Sequence, residues 1–193
     1  MGRPKTFDET AALDQAMEVF WDKGYAATSL TDLLAATGLS KSSLYETFGN
    51  KHDLFLKALE RYRDAVVAPT LAALESAPSP REAIRLAFLQ VVEGVEQAAA
   101  PRGCFSNNCA VEQANRDPAA CRRVTEVFGR FEQAFEAAVR RGQAAGEIPA
   151  RHDPAALARY LNTALNGLIV VSKTGRDTGD LNEVVEITLK ALD

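Results

Sequence analysis

Lys41, Ser42, Ser43, Tyr45 and Thr47 fall within seven consecutive residues, and Lys51 follows four places later. Ammonium, hydroxyl and phenol groups all donate hydrogen bonds, and no nucleophile–base pair stands among them. Such a set suits recognition of an acceptor-rich surface better than the making of bonds. Thr28 and Ser29 add two hydroxyls upstream, and Arg3 and Lys5 could form a basic arm. The other chemically unusual stretch is Arg102-Gly103-Cys104-Phe105-Ser106-Asn107-Asn108-Cys109-Ala110-Val111-Glu112. Cys104 is expected at a helix N-terminus, where the dipole favours thiolate. It is either a thiol open to oxidants or electrophiles or a small buried hydrophobe. Asn108 and Glu112, four apart, share a helix face. With Phe128 and Phe131 they could line a mixed pocket for a small molecule, while a solvated Glu112 is an equal alternative.

Helices must position these groups. Asp8 can cap a helix with Leu13, Ala16, Met17, Phe20 and Trp21 on one stripe, ending at Gly24. Thr28 or Ser29 opens a short helix that stops at Gly38. Ser40 caps a third, with Leu44 and Phe48 inward, and Asn50 caps a fourth. Two short helices meeting at Thr37-Gly38-Leu39-Ser40 give the pattern of a helix-turn-helix. Its second helix leaves Lys41, Ser42, Ser43, Tyr45 and Thr47 free for a major groove, which admits one helix. Glu46 beside them either accepts from a cytosine amino group or faces solvent. Lys51 opens the fourth helix, where the dipole disfavours a cation, which makes sense if an external anion faces it.

Downstream, Ser79-Pro80-Arg81-Glu82 reads as a capping box, and Asp117-Pro118 and Asp153-Pro154 cap two long helices. Leu157, Leu161, Ala164, Leu165, Leu168 and Ser172 form one apolar stripe, and Leu181, Val184, Val185, Thr188 and Leu192 another; both suit a four-helix dimer interface, with packing inside one subunit as the alternative. The fold expected is all-α. Residues 1–50 form a three-helix helix-turn-helix DNA-binding domain, linked by a helix from about 51. Residues 51–193 form a larger helical domain that would hold the mixed pocket and the dimer stripes.

Composition narrows the function classes. The chain has 193 residues, 47% hydrophobic and 25% charged, with a net charge of −4, which fits a folded globular protein. The first 62 residues and the remainder each carry two net negative charges, so duplex binding must come from where cations sit. Three cysteines (Cys104, Cys109, Cys121) and two distant histidines (His52, His152) match neither a disulfide framework nor a zinc site. No phosphate-binding loop or nucleophile motif occurs, and no metal or cofactor is expected. An export signal and an apolar run of about 18 residues are both missing, so a cytoplasmic location is expected and no membrane partner.

The residues Leu13, Phe20, Gly24-Tyr25, Thr28-Ser29-Leu30, Leu33, Gly38-Leu39-Ser40-Lys41-Ser42-Ser43-Leu44-Tyr45, Phe48, Asn50-Lys51 and Leu54-Phe55 resemble the DNA-binding domain of the TetR family of transcriptional regulators. The resemblance covers about the first 60 residues. It implies a homodimeric repressor, not an enzyme, that leaves a palindromic operator when a small-molecule or reactive effector binds its C-terminal domain. It further implies that Lys41, Ser42, Ser43 and Thr47 face bases or nearby phosphates, and that Thr28, Tyr45 and Lys51 hold the backbone. Some members sense reactive species through a cysteine in the helix that Cys104 opens. The competing readings are a thiol-based enzyme using Cys104 and a helical interaction module without DNA binding.

Overall fold

The structure is a computed structural model that describes residues 7–97 and 102–193. Arg3 and Lys5 lie outside the described residues. Among those described, all regular structure is helical.

Helix α1 (Glu9–Ala27) starts at Asp8, whose carboxylate accepts from the Thr10 and Ala11 amides, and buries Ala12, Ala16, Met17 and Phe20. Gly24, at φ 78° and ψ 170°, interrupts it. Helix α2 (Leu30–Thr37) opens on a reciprocal capping box between Ser29 and Asp32 and closes at left-handed Gly38. Ser40 caps α3 (Lys41–Phe48), and Asn50 with Asp53 caps α4 (Lys51–Tyr62). Helix α4 packs along α1 and against α3. Phe20, Leu33, Leu44, Leu54 and Phe55 are all buried there, each stabilising by about 1.5–3 kcal/mol.

Beyond Tyr62 the helix widens into a π-turn, Arg63–Val67, before α5 (Ala68–Ser76). Pro69 stands just after the π-turn, and the helical run continues through it into α5. The expected Ser79 box forms only by half. Ser79 Oγ accepts from the Glu82 amide at 3.2 Å, but the Glu82 carboxylate turns to Arg85. Glu147 completes this end, accepting from the Ser79 hydroxyl and the Arg81 amide.

Helices α6 (Pro80–Gln97), α7 (Phe105–Gln113), α8 (Pro118–Ala144), α9 (Pro154–Ser172) and α10 (Thr178–Leu189) complete the chain with a 3₁₀ turn, Lys190–Leu192. Helix α8 lies along α9 and contacts α5, α6 and α7; α10 packs on α6 and α9. Helix α7 is the bridge, touching α1 and α4 on one side and α8 on the other.

Most of the two stripes expected at a dimer interface is covered within the chain, with Val184 left exposed. Leu157, Leu161, Leu165, Leu168, Ser172, Leu181, Val185, Thr188 and Leu192 are buried within the single chain. The apolar residues that α9 and α10 leave exposed are Tyr160, Val170, Val171, Val184 and Ile187. Period alone marks an apolar face, not which neighbour covers it.

Candidate nucleic-acid interface and effector cavity

The α2–α3 corner depends on Gly38, whose φ of 65° is the left-handed region that glycine adopts without strain. Its amide donates to Leu34 O at 3.0 Å. Leu44 and Phe48 point inward, leaving Lys41, Ser42 and Glu46 exposed and Ser43, Tyr45 and Thr47 half-buried. Ser40 Oγ organises the first turn of α3. It accepts from the Ser43 amide at 3.2 Å and lies 3.0 Å from Ser42 Oγ and 2.9 Å from Ser43 Oγ. The far end is closed by Lys57, which donates to Thr47 O and Phe48 O and so meets the negative end of the dipole. The Thr47 hydroxyl oxygen is buried without a hydrogen-bond partner.

The cations around α3 are not equally available. Lys23 is paired with Asp32 at 2.6 Å. Lys23 and the Ser29 hydroxyl and amide hold that carboxyl well below the usual range. Lys41 lies 5.9 Å from the Tyr45 ring centre and Lys51 4.5 Å from that of Tyr25. Among the described residues neither has an acidic partner, so both ammoniums can meet an external anion.

Thr28 departs from its expected role. It is 1% exposed and donates its hydroxyl to Gly24 O at 2.6 Å, closing the corner after α1. Ser29 is exposed, but its hydroxyl is engaged with Asp32, donating to the carboxylate and accepting from the amide.

A cavity of about 440 Å³ is walled by α1, α4, α5, α6, α8 and α9 and by the residues just before α7. Its wall is mainly apolar and includes Trp21, Val66, Val91, Phe128 and Phe131, with Gln90, Asn162 and Asn166 as amides. Cys104, the N-cap of α7, also lines it, and Tyr62 donates its hydroxyl to Cys104 Sγ at 3.4 Å. Burial first, then Cys104, push the Tyr62 phenol well above its ordinary range, so it stays a donor. The Arg102 guanidinium is held by other partners. It stacks 3.8 Å over Trp21 and pairs with Glu18 and Asp22.

Phe128 and Phe131 are in the cavity wall, whereas Asn108 and Glu112 are not. Asn108 donates to Arg102 O and accepts from Lys173. The Glu112 carboxylate accepts from the Tyr25 amide at 2.9 Å and the Ala26 amide at 2.7 Å. The two residues do share one side of α7, but that side faces neighbouring helices. Cys109 is buried, and burial, with smaller contributions from Glu112, Asp117 and Cys121, raises its thiol to about 12. Trp21 and Tyr62 escaped sequence reasoning as cavity residues; their amphipathic positions read only as core. His52 of α4 reaches Asp117, the N-cap of α8, Nε2 to Oδ2 at 2.7 Å.

Comparison with known proteins agrees with both halves. A family model described as bacterial regulatory proteins, tetR family, matches residues 12–58. One described as tetracyclin repressor-like, C-terminal domain, matches residues 80–188. The chain is similar to the uncharacterized HTH-type transcriptional regulator YezE of Bacillus subtilis, 37% identical over 194 residues and covering 100% of both. It is also similar to the HTH-type transcriptional repressor ComR of Escherichia coli, 35% identical over 191 residues, 98% of this chain and 90% of that one. A solved structure of the TetR family regulator CifR, a cysteine mutant complexed with a 26-bp operator duplex, superimposes with a TM-score of 0.85 at 33% identity, covering 100% of each chain.

Proposed function

Because the chain belongs to the TetR family of DNA-binding transcriptional regulators, we propose that it works as a homodimeric repressor on a palindromic operator and is released when an effector occupies the cavity. In this reading residues 1–50 bind DNA and residues 51–193 bind effector and partner, with α4 between them. Lys41, Ser42 and Ser43 face the groove, and Tyr45 and Lys51 hold phosphates; Thr47, whose hydroxyl oxygen is buried, offers the groove no polar atom in this conformation. Ser29 reaches a phosphate only from its capped position, and Thr28 serves the corner rather than the duplex. The observation that carries the reading is the α3 face, polar and cationic, presented by a corner locked at Gly38 and Ser40.

The exposed apolar face of α9 and α10, with Val170, Val171, Val184 and Ile187, supports dimerisation through these helices. The effector is uncharged. Among the described residues the cavity lining contains no Asp, Glu, Lys or His, and Arg102 there is already paired with acids; an ion would be desolvated there without a counter-charge. A thiol-reactive effector is the second reading. It is favoured by Cys104 in the wall, and the related CifR has been studied as cysteine mutants bound to operator DNA.

The test is titration of reduced protein onto labelled duplex from upstream of its own gene, followed by a mild electrophile, with Cys104→Ser alongside. Release of the wild type alone assigns sensing to the thiol. If both stay bound, the search turns to non-covalent, uncharged ligands. Failure to bind any duplex as an intact dimer overturns the repressor reading.

A further inference from the structure

We propose that Glu112 is a positioning residue for DNA binding: its carboxylate clamps the corner between α1 and α2, and through α7 it ties the angle of the helix-turn-helix to the state of the cavity. The proposal rests on the repressor reading above.

The corner is built to be gripped. At Gly24 the chain leaves helical geometry, and the next two amides, of Tyr25 and Ala26, turn to Glu112, one to each carboxylate oxygen. Two charge-assisted hydrogen bonds to one rigid group fix direction as well as distance. A Cβ at position 24 would stand 2.8 Å from Glu112 Oε2. Glycine there therefore serves the positive φ and the close approach together.

What the clamp holds is the DNA face. Thr28 closes the same corner onto Gly24 O, and the next residue, Ser29, caps α2. The Tyr25 ring lies under the Lys51 ammonium and meets His52 edge-on, with centroids 6.3 Å apart. His52 in turn bonds Asp117, which caps α8. The two ties thus come from the last turn of α7 and the first residue before α8, and they flank one aromatic ring.

The other end of α7 is the cavity. Cys104 caps that helix and lines the space, while Gly103 O accepts from Trp21 Nε1 at 2.9 Å. Trp21 belongs to α1 and is itself in the cavity wall. Helices α1 and α7 are therefore pinned together twice, at Trp21–Gly103 beside the cavity and at Tyr25–Glu112 beside the DNA face. An occupant that displaces the first pin loads the second.

The angle of two recognition helices sets the half-site separation a dimer accepts, which gives a readout that loss of stability does not mimic. Wild type is used to enrich duplexes from a random library. Its affinity is then compared on the enriched site and on versions with the spacer one base pair longer or shorter, for wild type, Glu112→Gln and Gly24→Ala. Glutamine keeps the shape but presents one donor arm to an amide donor, and Gly24→Ala attacks the same contact from the other side. Both variants are expected to lose about fivefold or more of the spacer preference, with faster amide exchange at Tyr25 and Ala26. Unchanged spacer preference in Glu112→Gln overturns the proposal, as does an equal loss of affinity on all three spacers. If Glu112→Gln does not fold, Gly24→Ala decides by the same criterion; if neither folds, the contact is structural and the proposal falls. If wild type enriches no duplex, or shows no spacer preference, the repressor reading itself fails and this proposal with it.

Discussion

The Tyr62 hydroxyl points at the Cys104 sulfur from 3.4 Å, so the thiol that lines the cavity has a phenol as its hydrogen-bond partner. Alkylation by N-ethylmaleimide at pH 8, followed by peptide mapping, is expected to modify Cys104 and leave Cys109 untouched. Tyr62→Phe removes a donor that would stabilise the thiolate, and should slow Cys104 alkylation by about fivefold, the equivalent of one hydrogen bond of ~1 kcal/mol. Equal or faster labelling in Tyr62→Phe would show that the hydroxyl does not assist the sulfur.

Lys51 and Thr28 should separate cleanly in DNA-binding assays. Lys51→Ala is expected to weaken binding to every duplex and to lower the salt slope by about 1 per protomer. Thr28→Val removes the bond to Gly24 O and should cost about 1 kcal/mol of folding stability while leaving the salt slope as it was. A reduced slope in Thr28→Val would return that hydroxyl to the phosphate contacts.

Alkaline stability should depend on Cys109. Its folded-state thiol is raised from the ordinary 9.0 to about 12. The unfolded chain therefore loses this proton first, and stability is whole below about pH 9 and declines as pH rises toward about 12. Urea unfolding at pH 8 and pH 10.5 should show a smaller loss in Cys109→Ala than in wild type.

Gly142 of α8 leaves no room for a methyl group, because a Cβ would stand 2.7 Å from Ile148 Cδ1. Gly142→Ala is expected to cost about 1–3 kcal/mol through overpacking. Ile148→Val in the same chain, which removes that methyl, should recover part of it. Additive losses in the double variant would point away from this contact.

Ile187 is 64% exposed on α10. Ile187→Asp should shift the protein toward monomer in sedimentation equilibrium and lower operator affinity in proportion. A dimer of unchanged strength would move the interface away from α10.

Local rules were readable from the sequence and distant partnerships were not. Asp8, Ser29, Ser40, Asn50, Asp117 and Asp153 all cap the helices their positions suggested, because a cap binds amides two or three residues away. Gly38 declared the α2–α3 corner for the same reason. Glu112 looked like a pocket residue, yet its partners are 86 and 87 residues upstream. Arg102 stands two residues before Cys104 in sequence, but its acids lie 84 and 80 residues away. Helical periodicity shows that Leu161 and Leu165 face something apolar without saying that the cover is their own chain.

The π-turn at Arg63–Val67 works as an expansion joint. Each residue added to an α-helix swings everything beyond it by about 100°, whereas a widened turn takes up one residue without that swing. The run from α4 into α5 can thus gain or lose a residue over evolutionary time and still aim Lys51 outward at one end and Thr70 into the cavity at the other. The helix-turn-helix and the cavity are thus joined along a single length of rod without a fixed angular phase between them.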